Sequence, residues 1–346
     1  MIDTVHDLDR AIVRLVDGDG PVALDAERAS GFRYGHRDYL VQVYRRGAGT
    51  VLIDPIAVPD LSEVAAVLAD TEWVLHAAAE DLPGLSDLGM KPRELFDTEL
   101  AGRLLGYPRT SLGSLTAQLL GIQLAKEHSA ADWSTRPLPE PWLDYAALDV
   151  EVLPDLRDAL VTELAGAGKT DIAAQEFEAL RTATPAAPRP EPWRRTSGSH
   201  LIRDTRRLAV LRSLWTARDT VARQLDLAPG RVATDETLVR ASEAMPRTVG
   251  ELRRIRGLVK TTTGVSPSYW LRAIEDARRL PRDKLPAARG PERPGPPPTR
   301  LWKQRSRSAA QRLAAARQAI AEVSHDVAIP VEYLAAPALV RQILWD

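Results

Sequence analysis

The sequence contains no cysteine among its 346 residues. This absence excludes disulfide bonds, zinc sites built from thiolates and catalysis by a cysteine nucleophile, and it is consistent with a reducing compartment. The N-terminal stretch carries acidic side chains where a signal peptide would carry basic ones. No apolar run approaches the roughly 20 residues that a membrane-spanning helix requires. We therefore expect a cytoplasmic protein with no membrane partner.

Positive charge is scarce in the first half of the chain and abundant in the second. Residues 1–180 carry a net charge of −16 and residues 181–346 carry +15, although the whole chain is nearly neutral at −1. A split of this size suggests an acidic working domain joined to a basic region that holds a polyanion such as nucleic acid. The alternative is that each half is solvated by its own charge, so the split alone does not decide between them.

Length and composition predict more than one domain. The chain is long for a single compact domain, and its apolar fraction of 44% is sufficient for more than one core. Strand and helix patterns alternate in the first half, whereas the second half is helical and is interrupted by proline-rich connectors. We expect an α/β domain at 1–183, a linker at 184–199, a helical domain at 200–285, a linker at 286–299 and a partial or second helical segment at 300–346.

The α/β region begins with three strand patterns joined by short loops. The stretches "PVALDAE", "YLVQVYRR" and "GTVLIDP" are typical of an antiparallel meander. Alternating strand and helix patterns follow and predict further strands with helices packed against them. The expected architecture is therefore a mixed sheet flanked by helices, followed by all-α modules.

Two acidic residues lie on one face of the first predicted strand. Asp25 and Glu27 are two positions apart, so their side chains emerge on the same side. Neighbouring carboxylates repel each other, and folding gains nothing from the pair unless a cation lies between them. A single pair of this kind is also common at a solvated strand end, so other acidic residues are needed to favour a metal site.

Asp81 and Asp149 supply further carboxylates. Asp81 falls in the first turn of a predicted helix that directly follows a strand, where an acidic residue also favours the helix dipole. Asp149 lies one helical turn after Tyr145, which places the two side chains on the same helix face. The simpler interpretation of that pair is a solvated aspartate beside a packed tyrosine.

The order of these acidic residues and the Tyr-x-x-x-Asp spacing resemble the DEDD family of 3′→5′ exonucleases, tyrosine subclass. The blocks "LHAAAEDLPGL", "FDTELAGRLLG" and "KEHSAADWSTRPLPEPWLDYAALDVEVL" are similar to those of ribonuclease D, and the likeness covers residues 20–160. Residues 200–281 resemble an HRDC domain, most clearly in "TVGELRRIRG", and residues 300–346 resemble part of a second one.

This resemblance implies a ribonuclease H-like fold and hydrolysis of RNA 3′ ends to nucleoside 5′-monophosphates. By analogy, Asp25, Glu27, Asp81 and Asp149 would hold two divalent cations, Mg²⁺ or Mn²⁺, through oxygen ligands. Asp25 would bridge both ions, Glu27 and Asp149 would complete one site, and Asp81 would anchor the other. Tyr145 would orient the attacking water. The implied substrates are RNAs with single-stranded 3′ tails, such as tRNA precursors, and the protein is expected to be a monomer.

Several other residues are candidates for substrate binding. A cation in the loop before the last acidic helix would meet a phosphate, and an aromatic ring there would stack on a terminal base. Core packing is an equally good interpretation of the tryptophan, and a histidine at a strand end is more often packed or hydrogen-bonded than a ligand. The candidates are His76, Gln42, Lys126, His128, Trp133 and Arg136.

The basic helical half and the substrate each leave alternatives open. Its arginines would track phosphates with little sequence preference, or they would form a docking surface for a protein partner or for the acidic α/β domain itself. No residue identifies a 2′-hydroxyl, so a 3′→5′ DNA exonuclease is the main alternative. A non-catalytic nucleic-acid-binding scaffold is a further alternative, but such a protein has no reason to keep four crowded carboxylates.

Overall fold

The structure of the chain, a computed structural model, describes residues 1–124, 130–184, 190–258, 263–290 and 295–345. The strands are β1 (Asp19–Arg28), β2 (Asp38–Arg46), β3 (Gly49–Ile53), β4 (Trp73–Leu75) and β5 (Leu95–Asp97). The first helices are α1 (Val5–Val16), α2 (Ser62–Val67), α3 (Leu82–Asp87), α4 (Thr98–Leu104), α5 (Leu112–Leu119), α6 (Glu140–Glu151), α7 (Leu153–Gly166) and α8 (Thr170–Arg181). The later ones are α9 (Thr205–Gln224), α10 (Pro229–Val232), α11 (Asp235–Ala244), α12 (Val249–Arg253), α13 (Pro267–Arg279), α14 (Trp302–Arg305), α15 (Arg307–Val327), α16 (Val331–Leu334) and α17 (Pro337–Trp345).

The chain divides into two compact units. The first contains Met1–Arg28, Arg37–Pro185 and Pro294–Asp346, and the second contains Ala29–His36 and Ala186–Arg293. The first unit therefore holds all the described strands and three separate stretches of sequence. The domain boundaries predicted from the sequence stay predictions.

One mixed sheet organises the described part of the first unit, in the order β3-β2-β1-β4-β5. Strands β1, β2 and β3 pair antiparallel, whereas β4 pairs parallel to β1 and β5 parallel to β4. The meander and the mixed sheet predicted from the sequence are thus confirmed. Strand β1 lies in the centre, which explains its run of buried apolar residues.

The two faces of the sheet pack against different helices. Val22 and Leu24 of β1 join the core formed with α1, α2 and α3, while Ala23 joins the core formed with α4 to α8. This division follows from the alternation of side chains along a strand. Odd-numbered residues of β1 therefore face the second group of helices, and this places Asp25 and Glu27 on that side.

The C-terminal stretch packs within the first unit. Ile329 belongs to the core of α4 to α8, and the Lys169 ammonium donates hydrogen bonds to the carbonyls of Leu104 (2.7 Å) and Ala328 (3.1 Å). Arg103 donates to the Tyr333 hydroxyl. The identification of 300–346 as a partial or second HRDC-like segment stays a prediction.

The second unit is helical and is built around α9, against which α11 and α13 pack. Its helices begin at side-chain caps: Asp204, Thr234 and Ser266 each accept a hydrogen bond from a backbone N–H in the first turn. Pro267 occupies the first position of α13, as the sequence predicts. No helix in the part of the chain that the structure describes has both the length and the apolar character needed to cross a membrane.

Gly84 in α3 provides a test of this packing. A methyl group built there would lie 2.3 Å from Oδ2 and 2.7 Å from Cγ of the buried Asp38. We expect Gly84→Ala to destabilise the protein by about 1–3 kcal/mol through overpacking. Urea unfolding followed by circular dichroism measures this change.

Gly166→Ala is the matched control for that substitution. Gly166 also lies in a helix, but beyond its own helix backbone no described residue comes within 4 Å of the added methyl group. It should be neutral or stabilise the protein by up to about 1 kcal/mol. Equal effects of the two substitutions would contradict the contact between α3 and Asp38.

Candidate active site

Asp25 and Glu27 project from the end of β1 on the face that α6 covers. Both side chains are half-buried, and one Asp25 carboxylate oxygen accepts a hydrogen bond from the backbone N–H of Ala26 at 2.9 Å. Helix α6 contacts β1, β2 and β3 and buries Ala146 and Val150. The apolar side of α6 thus holds its polar residues over the end of β1.

Asp149 and Tyr145 of α6 complete the cluster. Asp25, Glu27 and Asp149 each offer one carboxylate oxygen, and the three oxygens lie within 4.8 Å of one another. The Tyr145 hydroxyl donates a hydrogen bond to the Asp149 carboxylate. The two pairs predicted from local spacing therefore meet in space.

Burial and mutual repulsion dominate the electrostatics of the cluster. Burial, and then the charges of Asp25, Asp149 and Asp81, raise the pKa of Glu27 to about 9. Burial and the Asp25 charge raise the pKa of Asp149 to about 6, and burial raises the pKa of Asp25 as well. Burial, followed by the nearby Asp149 carboxylate, raises the pKa of Tyr145 above its usual range. Tyr145 is therefore a neutral hydrogen-bond donor at neutral pH.

Asp81 lies at the start of α3, beside this cluster. The Asp97 carboxylate accepts hydrogen bonds from the N–H groups of Ala77 (3.1 Å) and Ala78 (2.9 Å), which shapes the turn between β4 and α3. The Arg28 guanidinium donates to Asp81 at 2.9 Å. Burial and the Asp25 charge nevertheless raise the pKa of Asp81 to about 8. Asp81 is close enough to interact with Asp25, but it is held by an arginine.

Gln42 faces the cluster from β2. It pairs in register with Asp25, so the two side chains lie on the same face of the sheet. Gln42 is fully buried, and neither atom of its amide has a hydrogen-bond partner among the described residues. Buried amides are rarely left in this state without a functional or structural reason. The structure thus places Gln42 beside the acidic cluster with its amide available.

His76 is held by its own neighbours. Its Nδ1 lies 2.8 Å from the Thr98 hydroxyl oxygen, and Thr98 donates its proton to the Leu75 carbonyl. Burial, together with the charge of Arg103, lowers the pKa of His76 to about 4. His76 is thus a neutral, hydrogen-bonded side chain, as in the simpler interpretation of the sequence.

The loop before α6 contains the remaining candidates. Trp133 is fully buried and packs edge-on against Trp142, with 5.4 Å between ring centroids. Lys126 and His128 lie outside the described residues. The tryptophan therefore belongs to the core and offers no exposed face for stacking a base.

Arg136 is committed to the fold. Its Nε and Nη2 donate to the two carboxylate oxygens of Asp54 at 2.6 and 2.8 Å. Its remaining N–H groups donate to the carbonyls of Tyr39, Trp133 and Thr135. All five guanidinium donors are thus in use. The arginine ties the loop to the sheet, and in this arrangement none of its N–H groups is left for a phosphate.

Arg28, Asp38 and Asp97 contribute to the site but were not predicted. One signal for Arg28 was available in the sequence: it is a basic residue that directly follows the acidic pair Asp25 and Glu27. For Asp38 and Asp97 the sequence gives no signal, because their partners are distant in the chain.

The cluster fits a divalent cation. Its donors are carboxylate oxygens, which Mg²⁺ and Mn²⁺ prefer. Burial and the neighbouring carboxylates raise the pKa of Glu27 and of Asp149, and a cation bound among them would relieve the repulsion. Asp25, Glu27 and Asp149 would hold the ion, with Asp81 as a neighbouring ligand.

Three family models match the chain. A model described as 3′-5′ exonuclease matches residues 1–165, an HRDC domain model matches 207–274, and a 3′ to 5′ exonuclease C-terminal domain model matches 295–346. The last match covers the stretch that packs within the first unit. The models thus match both ends of the chain to domains of 3′-5′ exonucleases.

Curated relatives and solved structures agree with these models. Ribonuclease D of Gluconacetobacter diazotrophicus is 33% identical over 308 residues, covering 86% of this chain and 77% of the relative. Ribonuclease D of Escherichia coli is 33% identical over 270 residues, covering 77% of this chain and 71% of the relative. A crystal structure of a protein from Bifidobacterium adolescentis has a TM-score of 0.93 at 38% identity and covers 100% of this chain and 88% of its own. The crystal structure of Escherichia coli RNase D, described as an exoribonuclease involved in structured RNA processing, has a TM-score of 0.73 at 29% identity and covers 99% of this chain and 89% of its own.

The raised carboxyl pKa values predict how stability depends on pH. In the folded state without metal, Glu27, Asp81 and Asp149 keep protons that the unfolded chain releases near pH 4. Their contribution is therefore fully present below about pH 4 and is lost as the pH rises from there to the folded pKa values of about 6, 8 and 9. We expect the Tm in EDTA to fall over this range and to fall less in excess Mg²⁺.

Glu27→Gln is the control for this profile. It removes the group with the pKa of about 9, so the fall in EDTA should be smaller. A flat profile in EDTA, or one that Mg²⁺ does not change, would contradict the crowding of these carboxylates.

Proposed function

Since the chain belongs to the ribonuclease D family, it is a 3′→5′ exoribonuclease, and we propose that it removes nucleotides from single-stranded RNA 3′ tails as nucleoside 5′-monophosphates. The observation that carries this proposal is the meeting of three carboxylate oxygens within 4.8 Å beside the Tyr145 hydroxyl. Such a cluster suits hydrolysis at phosphorus, where negative charge accumulates in the transition state.

The family uses divalent metal ions, and the acidic cluster is the place for them. We propose that the four carboxylates would hold two ions, Mg²⁺ or Mn²⁺, with Asp25, Glu27 and Asp149 as the central ligands and Asp81 as a neighbouring one. When bound, divalent cations supply positive charge at the phosphate and make water more acidic. The raised pKa values support this assignment, because metal binding would relieve the repulsion that causes them.

Tyr145 orients the attacking water in this proposal. Its hydroxyl keeps its proton at neutral pH and is anchored to Asp149, so it acts as a fixed polar group and does not serve as a general base. An oriented hydroxyl holds a water molecule at the phosphate and lowers the entropy cost of the reaction.

Gln42 is the best-supported substrate contact among the candidates. Its buried amide has no hydrogen-bond partner among the described residues and lies beside Asp25, so it would bind a polar group of the terminal nucleotide. Trp133 and Arg136 act instead on the shape of the site, because they hold the loop before α6 against the sheet.

We propose that the helical unit binds the RNA. Arg203, Arg207, Arg253 and Arg254 are exposed there, and exposed arginines track phosphates without reading sequence. Structured RNA precursors with single-stranded 3′ tails, such as those of tRNA, are the proposed substrates. The likeness to a relative involved in structured RNA processing supports this choice. A DNA exonuclease is the competing assignment, and substrate comparison separates the two.

The activity assay uses 5′-labelled single-stranded RNA and DNA of the same sequence. With Mg²⁺, we expect progressive shortening of the RNA from its 3′ end, slower shortening of the DNA, and no cleavage in EDTA. Asp25→Asn and Asp149→Asn should each lower kcat by about a thousandfold or more, because each removes a charged ligand of the cations that would offset negative charge in the transition state.

Asp144→Asn is the matched control for these variants. Asp144 is an exposed carboxylate on the same helix, α6, so its loss should leave turnover unchanged. Normal turnover by Asp149→Asn would contradict the assigned site, and faster cleavage of DNA would favour the competing assignment.

Tyr145→Phe separates orientation from metal binding. The ring is kept and only the hydroxyl is lost, so we expect kcat to fall by about a hundredfold while Mn²⁺ affinity stays nearly the same. Tyr107→Phe removes a hydroxyl that bonds to Glu163 elsewhere in the unit, and it should not affect kcat. If Tyr145→Phe lost the metal instead, the role given to Tyr145 would be wrong. Single-turnover kinetics and isothermal titration calorimetry measure the two quantities.

A further inference from the structure

Arg28 lies between two buried carboxylates. Its Nη2 donates to Asp81 at 2.9 Å, while its Nη1 donates to the Glu80 carbonyl and lies 3.8 Å from Oδ1 of Asp38. The side chains of Asp81 and Asp38 are 6% and 0% exposed, and that of Arg28 is 19% exposed. Arg28 therefore bonds to Asp81, which belongs to the proposed site, and lies near Asp38, which does not.

The two carboxylates differ in their hydrogen bonds. Asp81 accepts a hydrogen bond from the guanidinium, whereas neither oxygen of Asp38 has a hydrogen-bond partner among the described residues. A buried carboxylate without a hydrogen bond is costly. The position of Asp38 beside Arg28 thus needs an explanation other than stability of this state.

An irregularity in the strand pairing creates the arrangement. Glu27 pairs with Leu40, but Arg28 pairs with Asp38, so Tyr39 is an extra residue in β2. Such a bulge changes the face to which the residue on its far side points, here Asp38, which precedes Tyr39. Asp38 consequently points towards α3, where Gly84 leaves room for its carboxylate. The same face carries Arg28 to Asp81 at the start of α3.

We propose that Arg28 is a positioning residue that holds Asp81 by a hydrogen bond when no cation is bound there and shifts to Asp38 when a divalent cation takes Asp81. This inference rests on the proposed metal-dependent function. A guanidinium and a divalent cation on one carboxylate repel each other strongly where little water screens them. Arg28 needs another partner at that moment, and Nη1 must move by about 1 Å to reach hydrogen-bond distance of Asp38.

The consequence is an energetic coupling between Arg28 and Asp38 in metal binding. Without the Asp38 charge, the guanidinium keeps its hold on Asp81 and competes with the cation. Without Arg28, no guanidinium moves to Asp38, so the charge of Asp38 should hardly affect metal affinity. A structural role of Asp38 would predict the same loss whether or not Arg28 is present.

The test is Mn²⁺ titration calorimetry on the full chain and its variants, with the Tm measured for each. Asp38→Asn should weaken Mn²⁺ binding by about tenfold, in the range of coupling between residues in contact. Arg28→Met should bind Mn²⁺ at least as tightly as the unaltered chain. The double variant Arg28→Met with Asp38→Asn should match Arg28→Met to within about twofold, since the competing cation is absent.

Arg157 and Glu72 form the matched control pair. This pair lies in the same unit at 2.7 Å, with side chains 26% and 18% exposed. Glu72→Gln, alone or with Arg157→Met, should leave Mn²⁺ affinity unchanged. A loss there as large as in Asp38→Asn would show that any broken ion pair of this unit weakens the site, and would overturn the inference.

Three further outcomes would overturn it. In the first, Asp38→Asn leaves the Mn²⁺ affinity unchanged. In the second, Asp38→Asn lowers the Mn²⁺ affinity equally with and without Arg28. In the third, Arg28→Met weakens Mn²⁺ binding. Absence of Mn²⁺ binding by the unaltered chain is a distinct result, because it defeats the proposed metal-dependent function and this inference together.

Discussion

Repulsion between carboxylates crowded at the end of one buried strand is the constraint on which the site depends. Asp25 and Glu27 emerge from β1, and α6 adds Asp149 within 4.8 Å. Burial removes the water that would otherwise screen these charges, so their pKa values rise. A fold that keeps such a cluster is adapted to a positive partner, and a phosphate-cleaving enzyme that works with divalent cations supplies one.

The surrounding structure keeps these charges in place. Arg136 ties the loop before α6 to Asp54 with a bidentate pair, and Asp97 shapes the turn that presents Asp81. Lys169 links the core of the first unit to the C-terminal stretch through the Ala328 carbonyl. Arg136 and Asp97 thus hold the segments next to the carboxylates, while Lys169 joins helices of the same unit away from them. The site is therefore held by contacts distributed over the unit, which is how a repulsive cluster is kept without collapsing.

Much of the fold and the acidic set was predictable because both rest on short-range periodicity. Alternation along a strand placed Asp25 and Glu27 on one face, and helical spacing did the same for Tyr145 and Asp149. The loop residues were less predictable. An arginine before an active-site helix suggests a phosphate contact, but Asp54, which occupies Arg136, is remote in sequence. Trp133 was ambiguous for the same reason, since only its burial distinguishes a core ring from a stacking platform.

The sequence by itself determined the class of fold, the family and the pairs of polar residues that share a face, because these depend on local spacing and on motifs in a set order. Tertiary structure decided which pairs meet and which partner each long charged side chain selects. It placed Asp149 near Asp25 and paired Arg28 with Asp81. Through a bulge, it also turned Asp38 towards α3. A guanidinium reaches carboxylates and carbonyls on several elements, and the choice among them is made by packing that no local pattern encodes.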